Sequence, residues 1–253
     1  MAFGGQAAID FLASQIQHDD PGASSHWRLH HKNFALKGNG GFSGLSGFGG
    51  AGRTYRGARS LVHKALQWRY RRIARNDPEF DRIDRIAVST MERQDRAYSL
   101  DVLRQSLTLA FLKRHIPGLN GESVVGVIGD GFAAMTTLLL ASGLAKKVVL
   151  VNLNKTLLVD LAYFQRWARE RSGFGFRLVV DPAGMVESIA AKDVSLIAIQ
   201  ASNHALLRQA PMDLAVNIAS MQEMDPPVIA AYFEDLRHAS ERRQLDLSLI
   251  HIS

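Results

Sequence analysis

The chain has 253 residues, 47% of them hydrophobic, a formal net charge of +6 and no cysteine. That length suits one large α/β domain with a further segment ahead of it, and the missing thiols exclude disulfides, thiolate metal sites and a cysteine nucleophile. No apolar run approaches the ~20 residues of a membrane-spanning helix, and residues 1–20 hold no Lys or Arg ahead of their apolar part, so a cytoplasmic protein without a membrane span is expected.

In chain order, the first unusual stretch is GNGGFSGLSGFGGAGRTYRG at 38–57, with nine glycines in twenty positions and Phe42, Leu45, Phe48 and Tyr55 between them. Glycine loses more backbone entropy on folding than any other residue, so a loop is expected. Its aromatics suit a lid over a ligand, and a disordered connection is the plain alternative. The segment from Arg53 to Arg75 then places eight basic residues in a row without an acidic one, within a first half (1–120) of 18 Lys/Arg against 10 Asp/Glu. Such a run could meet nucleic acid, acidic lipid or a phosphorylated substrate. A solvated helix face is the preferred reading, because Leu61, Val62, Ala65, Leu66 and Ile73 form an apolar stripe at helical spacing.

Between Asp77 and Arg96 charged residues predominate, with Phe80, Ile83, Ile86 and Val88 to anchor a surface helix or irregular segment. A helix should follow, with Leu103, Leu107, Ala110 and Phe111 at helical spacing and Pro117-Gly118 as its stop. Beyond it the period changes. Strands are expected at 123–128, 147–153, 176–180, 194–200 and 214–218, with helices at 132–145, 155–171, 184–191 and 227–238 between and after them. Strands alternating with helices at this spacing predict a doubly wound parallel sheet, whose crevice lies at the carboxyl ends of the strands.

The turn Gly129-Asp130-Gly131 joins the first of these strands to its helix. Glycine there lets a ligand approach the backbone, and the free amides of the helix start attract a polar or anionic group. A nicotinamide dinucleotide would also want a carboxylate at the end of the second strand, about twenty residues on. That strand instead ends Val151-Asn152-Leu153-Asn154, and the next carboxylate is Asp160, inside the following helix.

Taken together, GVIGDGFAAMTTLLLASG, VVLVNLNKTLLVDLAYF and MDLAVNIASMQEMDPPVIAAYFEDLR resemble the sugar O-methyltransferase family, a branch of the class I S-adenosylmethionine-dependent enzymes, over about residues 100–240. The resemblance implies a Rossmann-like class I methyltransferase domain at 100–246 behind a basic, partly helical segment at 1–99. It implies S-adenosyl-L-methionine as cofactor and a small-molecule or glycan hydroxyl as acceptor. The methionine part would lie on Gly129, Asp130, Gly131 and Phe132, the ribose by Asn152 or Asn154, and the adenine by Gln200, Ser202 and Asn203. The stretch from Asn217 to Glu223 would border the reacting methyl group. Methyl transfer to a hydroxyl needs alignment and a proton acceptor, for which Glu223 and His204 are the candidate bases. Each also has a plain reading, Glu223 as a carboxylate near a helix start and His204 as an exposed loop residue.

The histidines show no H-x-x-x-H or H-E-x-x-H spacing, so no metal site is expected. Two rival functions remain: an NAD(P)-dependent oxidoreductase, and an RNA-binding protein or RNA methyltransferase using the basic segment. A nucleic-acid partner is not expected, since only Tyr55, Trp68 and Tyr70 offer stacking surfaces there. Finally, Leu247 to Ser253 resemble a translated sequencing adaptor. On that reading the domain is incomplete at its C-terminus and Leu214–Ile218 should lie at the sheet edge.

Overall fold

The computed structural model describes residues 1–18, 20, 22–37, 41–45, 67–241 and 244–250. Most of the glycine-rich stretch and of the basic segment, with Phe48, Tyr55 and the stripe from Leu61 to Leu66, therefore lies outside the described residues.

Among the described residues, nine strands form two sheets. The main sheet contains β1 (Ala2–Gly4), β4 (Val124–Ile128), β5 (Lys147–Asn152), β6 (Gly175–Val179), β7 (Val194–Gln200), β8 (Leu214–Ile218) and β9 (Asp246–Ile250), in the order β1-β6-β7-β5-β4-β8-β9. All neighbours are parallel except β1, which runs antiparallel to β6 at the edge. The chain is thus α/β, with a mostly parallel seven-stranded sheet flanked by helices. A second, two-stranded sheet pairs β2 (Ala35–Leu36) with β3 (Phe42–Ser43), so the glycine-rich stretch, expected as loop, contributes one short strand.

The α-helices among the described residues include α1 (Gln6–Ser14), α2 (Ser25–His31), α3 (Pro78–Arg93), α4 (Leu100–His115), α5 (Ala134–Ala141), α6 (Asn154–Ala168), α7 (Pro182–Ala190) and α8 (Pro226–Ser240). The near-continuous apolar strands mark a sheet buried on both faces, and period-2 alternation splits their side chains between two cores. Val125, Val127, Val148 and Leu150 face α3, α4, α5 and α6. Val124, Ile128, Val149 and Val151 face α7 and α8.

The local signals explain the helix starts. Asp77 caps α3 through the amides of Glu79 and Phe80, Ser99 caps α4 through Val102, and Asp181 caps α7 through Gly184. The charged segment at 77–96 is a regular helix because Phe80, Ile83, Ala87 and Met91 recur at helical spacing and are buried, whereas Val88 is exposed. In α4 the buried face is Val102, Leu103, Ser106, Leu109 and Ala110. Phe111 and, from the basic segment, Ile73 are exposed, contrary to the stripes expected for them.

Two other expectations are corrected. Leu214–Ile218 is not an edge strand, because Asp246–Ile250 pairs with it in parallel over five residues and satisfies its backbone groups. Leu247 and Leu249 remain exposed there, so β9 adds hydrogen bonds and little apolar burial. Residues 2–4, assigned from sequence to the segment ahead of the domain, are part of the main sheet.

The strand order reverses at β4. From β4 the chain runs to β5, β6 and β7 on one side, then returns to β8 and β9 on the other. This places the topological crevice between the carboxyl ends of β4 and β8. Among the described residues, no helix is long and apolar enough to cross a membrane.

Candidate functional site

A cavity of about 520 Å³ opens at that crevice. One wall is the turn after β4. Gly129, Gly131, Phe132 and Ala133 all have positive φ, of 70, 74, 61 and 50°. Left-handed backbone at two consecutive non-glycine residues is costly and persists only where the surroundings hold it. Here Phe132 is buried edge-on against Tyr163, and the amide of Ala133 donates to Asp160 Oδ1 at 2.9 Å. Gly129 is required for space as well, since a Cβ would stand 2.5 Å from Ser220 Cβ.

The opposite wall is the loop after β8, which Asn217 and Ser220 fasten to the first. Asn217 Nδ2 donates to the Ile128 carbonyl at 2.8 Å and to Ser220 Oγ, Asn217 Oδ1 accepts from the amide of Met221, and Ser220 Oγ donates to Ile128. Asn217, expected beside the chemistry, is thus a buried fastener and does not line the cavity.

Asp130 reaches into the start of α5. Its two oxygens accept from the amides of Met135 at 2.8 Å and Thr136 at 2.7 Å. Burial raises its carboxyl above the usual range, against the pull of these amides and of Arg96. Asp160 lies beneath the turn and is fully buried. It holds the Asn152 amide at 2.8 Å, and burial, followed by the neighbouring Asp130, pushes its carboxyl well above the ordinary range. Asn152 lines the cavity, yet its amide is engaged, with Nδ2 on Asp160 and Oδ1 accepting from Leu153 at 2.9 Å.

The cavity gathers Gly129, Asp130, Gly131, Phe132 and Asn152, and also Ser202, His204 and Glu223. Asn203 does not line it. Asn154 and Gln200 are turned elsewhere. Asn154 donates to the Leu12 carbonyl, and Gln200 Nε2 donates to Gln15 and to Asn154, so both anchor the residues around α1 against the ends of β5 and β7. The physical reason is that these buried amides find protein partners before any ligand could reach them.

Two candidate bases remain. His204 Nδ1 contacts Asp235 Oδ2, and its ring packs 5.2 Å from that of Tyr232. Asp235 has no exposed surface and also accepts from Arg208 Nε at 2.6 Å. With Nδ1 held by the carboxylate, Nε2 is the nitrogen left to take a proton. Glu223 lies 4.0 Å from His26 Nε2, and burial lifts its carboxyl above the usual range despite Trp27 and His30.

Asp235 and Asp160 escaped the sequence reading of site residues, and each had a signal. Both are carboxylates in the apolar stripe of a helix, Asp235 within Tyr232, Leu236 and Ala239, and Asp160 within Leu157, Leu161 and Phe164. Such a residue requires a buried partner. Arg96, in the turn before α4, is also buried. Its guanidinium stacks 4.0 Å over the Phe132 ring, and burial lowers its pKa to about 10. Among the described residues no group of three histidine or acidic side chains is arranged to hold a metal ion.

Comparison of the chain with protein-family models, curated proteins and solved structures finds no match in any of the three.

Proposed function

We propose that the chain is an S-adenosylmethionine-dependent methyltransferase of the class I type that methylates a hydroxyl, in keeping with the sugar O-methyltransferase resemblance of its sequence. The observation that carries this reading is the occupancy of the α5 start. A dinucleotide sets its pyrophosphate on the free amides of the helix after the glycine turn. Here the Asp130 carboxylate already takes the amides of Met135 and Thr136, and Asp160 lies below. A second anion would be repelled where a nicotinamide cofactor needs to be welcomed. A ligand that is cationic, like a sulfonium with an ammonium group, suits that wall.

S-adenosylmethionine, when bound, supplies a methyl group on positively charged sulfur that is open to in-line displacement. The chain's part is to exclude water, to hold the acceptor hydroxyl in line and to take its proton. His204 Nε2, set by Asp235, is the group suited to that proton, and the Asp235 carboxylate stabilises the imidazolium that forms. Glu223, on the loop after β8, is the second acceptor within the same cavity.

The test is parallel calorimetric titration with S-adenosylhomocysteine and with NAD. Binding of the first and not the second is expected. Tight NAD binding with no response to S-adenosylhomocysteine would transfer the chain to the oxidoreductases.

A further inference from the structure

The basic segment takes no part in the cavity, and its described end, QWRYRRIAR at 67–75, holds four arginines and no acidic residue. Residues 67–71 form a helical turn that runs into a 3₁₀ turn at Arg72–Ala74. Helical spacing sets Gln67, Arg71 and Ala74 on one face, and that face is turned inward. Gln67 is buried and donates to the Tyr98 carbonyl at 3.1 Å, Arg71 bonds to Asp84 at 2.6 Å and lies over the Tyr98 ring, and Ala74 packs against the core. Trp68, Arg69, Tyr70, Arg72 and Ile73 occupy the outward half, with Trp68 61%, Tyr70 43% and Ile73 77% exposed. Ile73 is the most exposed large hydrophobic side chain among the described residues. Arg69, Arg72 and Arg75 are exposed as well, and none of the three forms an ion pair among the described residues. Apolar side chains gathered at a surface, with charges around them, mark a place of contact.

We propose that this outward face, from Trp68 to Arg75, is a docking surface for a membrane rich in acidic lipid. The charge selects an anionic partner, since each cation near an acidic bilayer strengthens partitioning about fivefold. The apolar side chains select a bilayer among the anions. Tryptophan and tyrosine rings settle at the headgroup level, and an aliphatic side chain enters the acyl boundary beneath them. Trp68, Tyr70 and Ile73 start within ~8 Å of one another along the helix axis, and arginine stems can lie along the apolar layer with their heads on the phosphates. Single-stranded RNA, the other polyanion, stacks its bases on open ring faces. Here the Arg72 guanidinium sits 4.9 Å over the Trp68 ring, and Ile73 has no ring to offer. The inward bonds of Gln67 and Arg71 hold the face in place before it meets a partner, so little ordering remains to be done on binding. Tyr98, to which Gln67 is tied, lies between Arg96 and Asp101 of the cavity wall, so docking would fix the orientation of the cavity toward the bilayer. None of this rests on the methyltransferase reading.

The test is flotation of the full chain with vesicles of phosphatidylcholine alone and of phosphatidylcholine carrying roughly one-third phosphatidylserine, beside binding to single-stranded polyuridine. The wild-type chain should float with the acidic vesicles and not with the neutral ones, and the binding should weaken as salt is raised. Arg69→Glu should weaken it by about tenfold or more, because an anion replaces a cation. Ile73→Ser should weaken it by about tenfold, the share of one buried aliphatic side chain. Both side chains are exposed, so both variants should unfold at the wild-type temperature. A wild-type chain that floats with neither vesicle, or equally with both, overturns the proposal. Affinity left unchanged by either variant overturns it as well, since the surface needs both its charge and its apolar side chains. A lowered unfolding temperature in either variant does the same, because that side chain would then be packed within the chain. Tight binding of polyuridine without binding to vesicles gives the surface to nucleic acid instead.

Discussion

Replacing Asp130 with alanine sets two effects against each other. The carboxylate holds the amides of Met135 and Thr136 at 2.8 and 2.7 Å, and these have no other acceptor at the start of a helix. Each hydrogen bond to a charged group is worth about 1.5–3 kcal/mol. Against this stand the burial that raises the Asp130 carboxyl and its repulsion of Asp160. Side-chain caps removed to alanine cost about 0.5–2 kcal/mol after such offsets, and two bonds in a partly buried place put Asp130 toward the upper half, about 1–2 kcal/mol. For a chain of this size that lowers the unfolding temperature by about 2–8 °C. Thermal unfolding followed by circular dichroism measures it. The pH dependence has a definite sign. Asp160 has its folded pKa raised, so its contribution to stability is full below the ordinary value of 3.8 and is lost as pH rises through the folded value. Burial is the larger cause and persists in the variant, so Asp130→Ala should reduce this loss without abolishing it. A variant that unfolds at or above the wild-type temperature would refute the reasoning, because repulsion and desolvation would then outweigh the cap.

Three further outcomes follow from the site. Gly129→Ala, at φ 70° and with its Cβ against Ser220, should cost more than about 1 kcal/mol in chemical denaturation, and a second change of Ser220→Gly, which removes both the Cβ and the Oγ it meets, should recover only part because the backbone strain stays; full recovery would assign the cost to the clash alone. Asp235→Asn should lower methyl transfer to the acceptor by about 10²–10⁴-fold, since His204 loses the carboxylate that orients it; an unchanged turnover with a lower unfolding temperature would reduce Asp235 to a structural partner of Arg208. Where Glu223 is the proton acceptor, activity should rise with pH through a value above the ordinary 4.5, and Glu223→Gln should erase that limb; a limb that persists in Glu223→Gln belongs to another group.

The alternation of strand and helix after residue 120 was legible in the sequence because it is written in local period and local turn chemistry. The strands at 194–200 and 214–218 match residue for residue, and the other core strands differ from expectation by one residue at their ends. The turn at 129–131 was legible too, as glycines in a place where positive φ is required. What the sequence could not supply was the partner of each polar side chain, since those pairs form across distances no local pattern records. Asn217, Asn154 and Gln200 were reasonable ligand contacts as letters, and in the fold each is consumed by a neighbour that burial brings to it: the carbonyl of Ile128, the carbonyl of Leu12 and the amide of Gln15. Asp235 meets His204 across 31 residues of chain, and Asp160 meets Ala133 across 27. The sequence by itself determined the five central strands and the position of the turn after the first of them, and not the two edge strands. Only the tertiary structure decided which polar groups are spent on one another, because that follows from packing the two faces of the sheet around them.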